Sequence, residues 1–402
     1  MAAAVLVAAA TLAGPASASL WTRLASALTG SGVAPSHTGV FAFDLARGSM
    51  VFRRNPLFPL RPASNEKLTV AVTALDRLGP SYRISTQVLG DGTLDPGTGV
   101  WTGRLILRGN GDPSLTRRKL ARLAARVRAA GIVKVTGRIL GDESYFDAVR
   151  VGPGWKASYY KEESPPLSAL VVDGARLGSG ISDEPALAAA ILFKRALRAA
   201  GVAAPGKAVK GTVTGTLAVL AQIKSPLLST LVRRMNRVSD NFYSEMLLKK
   251  LGAVERGSGT TADGARVVRS ELRERRVTMT GLRIADGSGL SAYDRLTAKA
   301  VFQILRSALN DAAIQQPFVA SLPIAGVNGT LRDRMTTPPA YRHVLAKTGT
   351  TDRASALSGY ATNAAYQPRY ILSILMNGNP VPWWYARAAQ DRFAQVLAGV
   401  AQ

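Results

Sequence analysis

Residues 60–78 read LRPASNEKLTVAVTALDRL. Pro62 and Ala63 precede Ser64, and proline followed by a capping serine is a common way to open a helix. From Leu68 onward the apolar residues return at helical spacing, which predicts a helix over 64–78. Ser64 and Lys67 stand three apart, so they share one face of that helix. A serine hydroxyl is a poor nucleophile until a neighbouring base takes its proton. Lysine becomes such a base once its pKa falls from about 10.4. Amides at the start of a helix can also stabilise a developing oxyanion. The pair is weak by itself. Ser158-Tyr159-Tyr160-Lys161 repeats the spacing inside a loop rich in proline and glycine. Ser64 would serve equally as a plain N-cap, with Lys67 solvated in the first turn.

Two further motifs lie downstream. Ser239-Asp240-Asn241 falls at the turn between two helical stretches, and Lys347-Thr348-Gly349 continues the apolar strand HVLA. In that order, Ser-x-x-Lys, Ser-x-Asn and Lys-Thr-Gly form the set found in penicillin-binding proteins and serine β-lactamases. Longer stretches extend it: GNGDPSL at 109–115, GDESYFD at 141–147, DGSGLS at 286–291, LPIAGVNGTLRDR at 322–334 and KTGTTDRASALSGY at 347–360. On these residues the chain resembles the D-alanyl-D-alanine carboxypeptidase/endopeptidases of the DacB type, the class C low-molecular-mass penicillin-binding proteins.

The resemblance implies roles residue by residue. Ser64 attacks the penultimate D-alanine carbonyl of a peptidoglycan stem peptide, and Lys67 takes its proton. Ser239 and Asn241 pass a proton to the leaving amine and hold the substrate amide. Lys347 and Thr348 hold the terminal carboxylate, and Gly349 lets the strand approach. The amides of Ser64 and Thr350 make the oxyanion hole. β-Lactams acylate the same serine, and no cofactor is required. Tyr145 and Asp147, from the GDESYFD stretch, are further substrate-binding candidates. The arginine that often follows DGSGLS is replaced by Ala292, with Arg295 the nearest basic residue. Two alternatives stay open on the sequence: a β-lactamase or esterase on the same scaffold, and a wall-binding protein without turnover. A Glu-x-x-Leu-Asn segment of the class A β-lactamase kind is absent.

Organisation follows from periodicity. Residues 39–54, GVFAFDLARGSMVFRR, alternate as a hairpin. Strands at 343–348, 354–362 and 370–376 and a helix at 383–398 close the chain. The strands at the two ends predict one antiparallel sheet with helices between them. Short strands at 84–89, 100–108, 133–141 and 208–222, with helices at 115–130 and 184–200, occupy the long interval between the first two motifs. The expected fold is α+β: a transpeptidase-like antiparallel sheet flanked by helices, carrying one inserted α/β domain. The expected boundaries are 19–86 and 226–402 for the peptidase and 87–225 for the insertion. A second nested domain, common in the family, has no room after Asp173.

Composition narrows the rest. The chain has 402 residues, 47% hydrophobic, enough for two or three domains with buried cores. It has no cysteine and two histidines, His37 and His343, which excludes disulfides, thiolate metal sites and cysteine nucleophiles. Residues 1–18, an apolar run ending Ala16-Ser17-Ala18, read as a secretory leader without a leading basic residue. The expected location is therefore extracytoplasmic, in the periplasm or cell wall. Fifty-one Lys and Arg against 26 Asp and Glu give a formal charge of +25. Such a field attracts an anionic wall polymer or membrane surface. Aromatics are only 6%, and no basic face interleaved with stacking rings points to nucleic acid. Trp383-Trp384-Tyr385 reads as packing.

Overall fold

The computed structural model describes residues 18–402, so the leader reading at 1–18 lies almost wholly outside it. Helix α1 (Leu20–Ala27) precedes strands β1 (Thr38–Asp44) and β2 (Ser49–Arg54), and a 3-10 turn at Ala63–Glu66 runs directly into α2 (Lys67–Arg77). There follow β3 (Ser85–Asp95), β4 (Val100–Gly109), α3 (Arg117–Ala129), β5 (Lys134–Val135), β6 (Ile139–Asp142) and a single turn α4 (Tyr159–Glu162). A small hairpin, β7 (Arg176–Leu177) and β8 (Gly180–Ile181), leads to α5 (Pro185–Ala199), β9 (Ala208–Lys210) and β10 (Ala218–Lys224). Helices α6 (Leu228–Arg237), α7 (Asn241–Arg256), α8 (Thr261–Glu274), α9 (Ala298–Leu309) and α10 (Gln315–Val319) come next. The chain closes with β11 (Val344–Thr350), β12 (Ala354–Thr362), β13 (Pro368–Asn377) and α11 (Trp383–Ala401).

The two ends of the chain do share one sheet. Its order is β11-β12-β13-β1-β2, and every pairing is antiparallel. All nine residues of β12 are buried, which requires cover on both faces. Ala356, Tyr360, Ile371 and Leu375 face one core, formed with α2 and α6 to α9. Leu357, Ala361, Leu372 and Ile374 alternate onto a second core, formed with α1 and α11. The period-2 alternation of the strands thus builds a three-layer sandwich of helices, sheet and helices.

Residues 85–224 form a second sheet, β10-β3-β4-β6-β9, antiparallel on one side and parallel on the other. α3 and α5 bury their apolar stripes against it through Leu120, Leu123, Val127, Phe193 and Leu197.

Several local expectations change. The helix expected over 64–78 starts as a 3-10 turn and turns α-helical only at Lys67, because Ala63 sits at φ +46° and tightens the entry. The single strand expected at 133–141 breaks into β5 and β6, and the one at 208–222 into β9 and β10. Glycine punctuates both gaps, at Gly137 and at Gly211 and Gly215. Of the aromatic triplet only Trp383 packs as expected, against the α1 and α11 core, while Trp384 is 71% exposed and Tyr385 65%.

Candidate active site

The three motifs converge on one cavity of about 670 Å³, whose walls include Ser64, Ser239, Asn241, Thr330, Thr348 and Thr350. Ser64 comes from the 3-10 turn, which Asn65 pins to the sheet by donating from Nδ2 to Ser358 Oγ at 2.8 Å. Ser358 in turn hydrogen-bonds Ser373 on β13 at 3.1 Å. Lys67, the first α-helical residue, is fully buried. Its Nζ lies 2.9 Å from Ser64 Oγ, 2.8 Å from Asn241 Oδ1 and 2.7 Å from the Ser288 carbonyl. Those contacts use all three N–H directions of an ammonium. When the amine is neutral its lone pair can instead accept the Ser64 proton.

Burial pulls the Lys67 pKa down to about 8, against the opposing pull of the Asp286, Glu245, Asp240 and Glu163 carboxylates. Four carboxyl groups, on Glu66, Glu245, Asp286 and Asp294, are buried beneath it. Burial and the Asp286 charge push Glu245 up to about 8. The same causes raise Glu66 and Asp294 well above the carboxylate range. Together these groups knit the 285–294 loop. Glu245 accepts from the Gly287 and Ser288 amides. Asp286 accepts from the Gly289 and Ser291 amides, the Ser288 hydroxyl and Trp155 Nε1. The loop so held places the Ser288 carbonyl on Lys67.

Asp240, not Asn241, caps α7, accepting from the Tyr243 amide at 3.1 Å. Asn241 is thereby free to face the cavity, where its Nδ2 also reaches the Glu163 carbonyl at 3.0 Å. Ser239 adopts φ +59°, a left-handed conformation that a serine holds only when its surroundings impose it. There its hydroxyl accepts from Lys347 Nζ at 2.8 Å. Lys347 is fully buried and spends a second contact on the Thr348 carbonyl. Burial, with the nearby Lys67 charge, holds its pKa well below the ordinary lysine value. Thr348 Oγ1 bonds Thr330 Oγ1 at 2.7 Å. At Gly349 an added Cβ would lie 2.9 Å from the Pro62 carbonyl oxygen and 3.0 Å from the Ser64 amide nitrogen. Only glycine lets β11 come this close to the Ser64 turn.

Seven of the sequence candidates, Ser64, Lys67, Ser239, Asn241, Lys347, Thr348 and Thr350, therefore meet here, with Gly349 at the seam. Tyr145 and Asp147 do not join them. Tyr145 accepts from Lys250 Nζ at 3.0 Å, and Asp147 pairs with the fully buried Lys249. Both tie the second sheet's block to α7, away from the cavity walls. Arg295 is committed to its own loop, donating to the Ala292 and Asp294 carbonyls. The sequence reading missed Glu163, Thr330, Ser288 and Arg387. Thr330 lies inside the quoted 322–334 stretch, but nothing in its spacing marked it, and Glu163 lies in a loop without a motif.

A buried lysine bonded to a cavity-lining serine, with an adjoining polar hydroxyl and a close-approaching glycine strand, is the arrangement of a serine hydrolase of the penicillin-recognising fold. The sequence comparisons place it more narrowly. A profile of the D-Ala-D-Ala carboxypeptidase 3 (S13) family matches residues 20–181 and 179–399, and the chain belongs to that family. It is 30% identical to a D-alanyl-D-alanine carboxypeptidase of Actinomadura sp. (strain R39), over 90% of this chain and 81% of that one. It is equally 30% identical to carboxypeptidase DacB of Mycolicibacterium smegmatis, over 88% and 78%. Among solved structures, penicillin binding protein 4 (dacB) of Haemophilus influenzae superposes with a TM-score of 0.82, at 23% identity over 95% of this chain and 99% of that one. That likeness carries the fold, antiparallel sheet and flanking helices alike.

Proposed function

We propose that this chain is a serine-type D-Ala-D-Ala carboxypeptidase/endopeptidase in which Ser64 is the nucleophile and Lys67 its base. The single observation that carries the assignment is the 2.9 Å contact between a fully buried Lys67 Nζ and Ser64 Oγ. Burial favours the neutral amine, which takes the serine proton as Oγ attacks the penultimate D-alanine carbonyl of a stem peptide. Negative charge on the carbonyl oxygen meets the amides of Ser64 and Thr350. The amide bond breaks as the leaving nitrogen receives a proton from the Ser239 hydroxyl. The proton that Lys67 took from Ser64 restores that hydroxyl, which the hydrogen bond from Lys347 Nζ holds in place. Water then hydrolyses the ester. β-Lactams enter the same route, and the complex of the H. influenzae relative with a novel β-lactam supports this reading. Residues 1–18 would direct export to the periplasm or cell wall, and residues 87–225 form a nested domain that lends Glu163 and Trp155 to the site.

The test is incubation with a penicillin followed by intact-mass and peptide mass spectrometry. A stable adduct on Ser64, missing in Ser64→Ala, is expected. A short-lived adduct with rapid drug turnover would make the chain a β-lactamase. No adduct on folded protein would overturn the acyl-enzyme mechanism.

A further inference from the structure

A substrate that ends in D-alanine presents a free carboxylate, and the residues in the cavity leave little choice of partner for it. Lys347 is buried and occupied by Ser239 and the Thr348 carbonyl. Lys67 already faces three acceptors. Arg334 is paired with Asp391, Nη2 to Oδ1 at 2.7 Å. Arg387 remains. It lines the same cavity, and among the described residues it makes no ion pair with any carboxylate.

Its position suits the task. Nη2 of Arg387 donates to Thr350 Oγ1 at 3.0 Å, two residues beyond Thr348 on β11. Its guanidinium lies 4.4 Å from the Trp383 ring centroid. Trp383 in turn stacks on Trp384 at 4.0 Å. The cation is thus held by an aromatic face and a hydroxyl, with donors to spare. A guanidinium left unpaired at the wall of this cavity, beside the Thr350 hydroxyl, is a receptor for a planar anion.

We infer that Arg387, supplied by the last helix, binds the free carboxylate of the residue that leaves the acyl-enzyme, with Thr348 and Thr350 beside it. This rests on the peptidase reading above and relieves Lys347 of the carboxylate-binding role that the resemblance implied. Lys347 then serves Ser239 and the Thr348 carbonyl. A leaving residue carrying a carboxylate next to the scissile nitrogen fits this subsite.

The experiment compares an acyl-D-Ala-D-Ala peptide with its C-terminal carboxamide, for the wild type, Arg387→Ala and Arg387→Lys. The wild type is expected to prefer the acid. In Arg387→Ala, kcat/KM on the acid is expected to fall about 10- to 100-fold, the range of one charge-assisted hydrogen bond, with little change on the amide. Arg387→Lys is expected to restore part of the preference. Thermal unfolding of each variant checks that the fold persists. Parallel losses on acid and amide would show that Arg387 merely shapes the wall and would overturn the inference, as would an unchanged preference. A wild type that cleaves neither peptide and takes no penicillin would instead bring down the peptidase reading itself.

Discussion

As the proposed base, Lys67 would have to be neutral to act, and it is surrounded by reasons to be charged. Its pKa of about 8 reflects burial winning over four carboxylates. The reactive form is the deprotonated one, so the rate of Ser64 acylation is expected to rise with pH and level off above about 8. Stopped-flow acylation across pH 6–10 checks this. Glu245→Gln keeps an acceptor for the Gly287 and Ser288 amides and removes a charge that favours the ammonium. The ascending limb should therefore move to lower pH. A limb that stays put or rises would mean that the carboxyl group is neutral over this range. There is a consequence for stability as well. The folded-state pKa of Lys67 is depressed below that of the unfolded chain, so the unfolded state binds the extra proton between about 8 and 10.4. On this account alone, stability rises with pH across that window. At this scale the proposed reacting pair was legible in the sequence, but what tunes it was not. Ser64 and Lys67 are neighbours in the chain. Glu245 and Asp286 reach Lys67 only because α7 and the 285–294 loop pack beneath α2, and no local spacing carries that information.

The elements meet at two seams that mutation can open. Gly349→Ala would set a methyl group against the Pro62 carbonyl and the Ser64 amide, forcing β11 away from the nucleophile. Acylation is expected to slow by about 100-fold or more, since displacements of about 1 Å cost that much. Thermal unfolding should show a much smaller loss. Asn65→Ala cuts the buried bond that ties the nucleophile turn to Ser358 on β12. It leaves a hydroxyl short of a partner, at a cost of about 1–3 kcal/mol in denaturant unfolding. Near wild-type stability in that variant would mean that the turn is held by packing alone. The strands β11 to β13 were readable because β-branched and apolar runs stood between turn residues. Their burial on both faces was not, because alternation signals one buried face and cannot reveal the helical layer that covers the other. The 3-10 entry to α2 was hidden for a similar reason. The serine start signal is common to both helix types, and Ala63 at φ +46° is imposed by the neighbouring strand and loop.

Over the whole molecule the excess of cationic side chains gives a long-ranged attraction to polyanions, screened at a Debye length near 8 Å in physiological salt. Binding to a phosphate-rich anionic polymer is expected at low ionic strength and should be lost steeply as salt rises. Retention that ignores salt would point to a specific contact instead. A different feature, the place of β1 in its sheet, bears on how the chain is expected to fold. β1 sits between β2, its immediate neighbour in the chain, and β13, with Thr38 opposite Met376. Any machine that handles the polypeptide lengthwise, a ribosome or a translocon, releases one partner long before the other. Until the final strand arrives, the nascent hairpin has an open edge that invites mispairing. A chain stopped after Asn363 should therefore fail to unfold cooperatively, although it contains all three catalytic motifs. On the proposed mechanism, Ser64 gains its finished surroundings only once β13 and α11 have joined the sheet, so a partly emerged chain is expected to escape premature acylation and stay threadable.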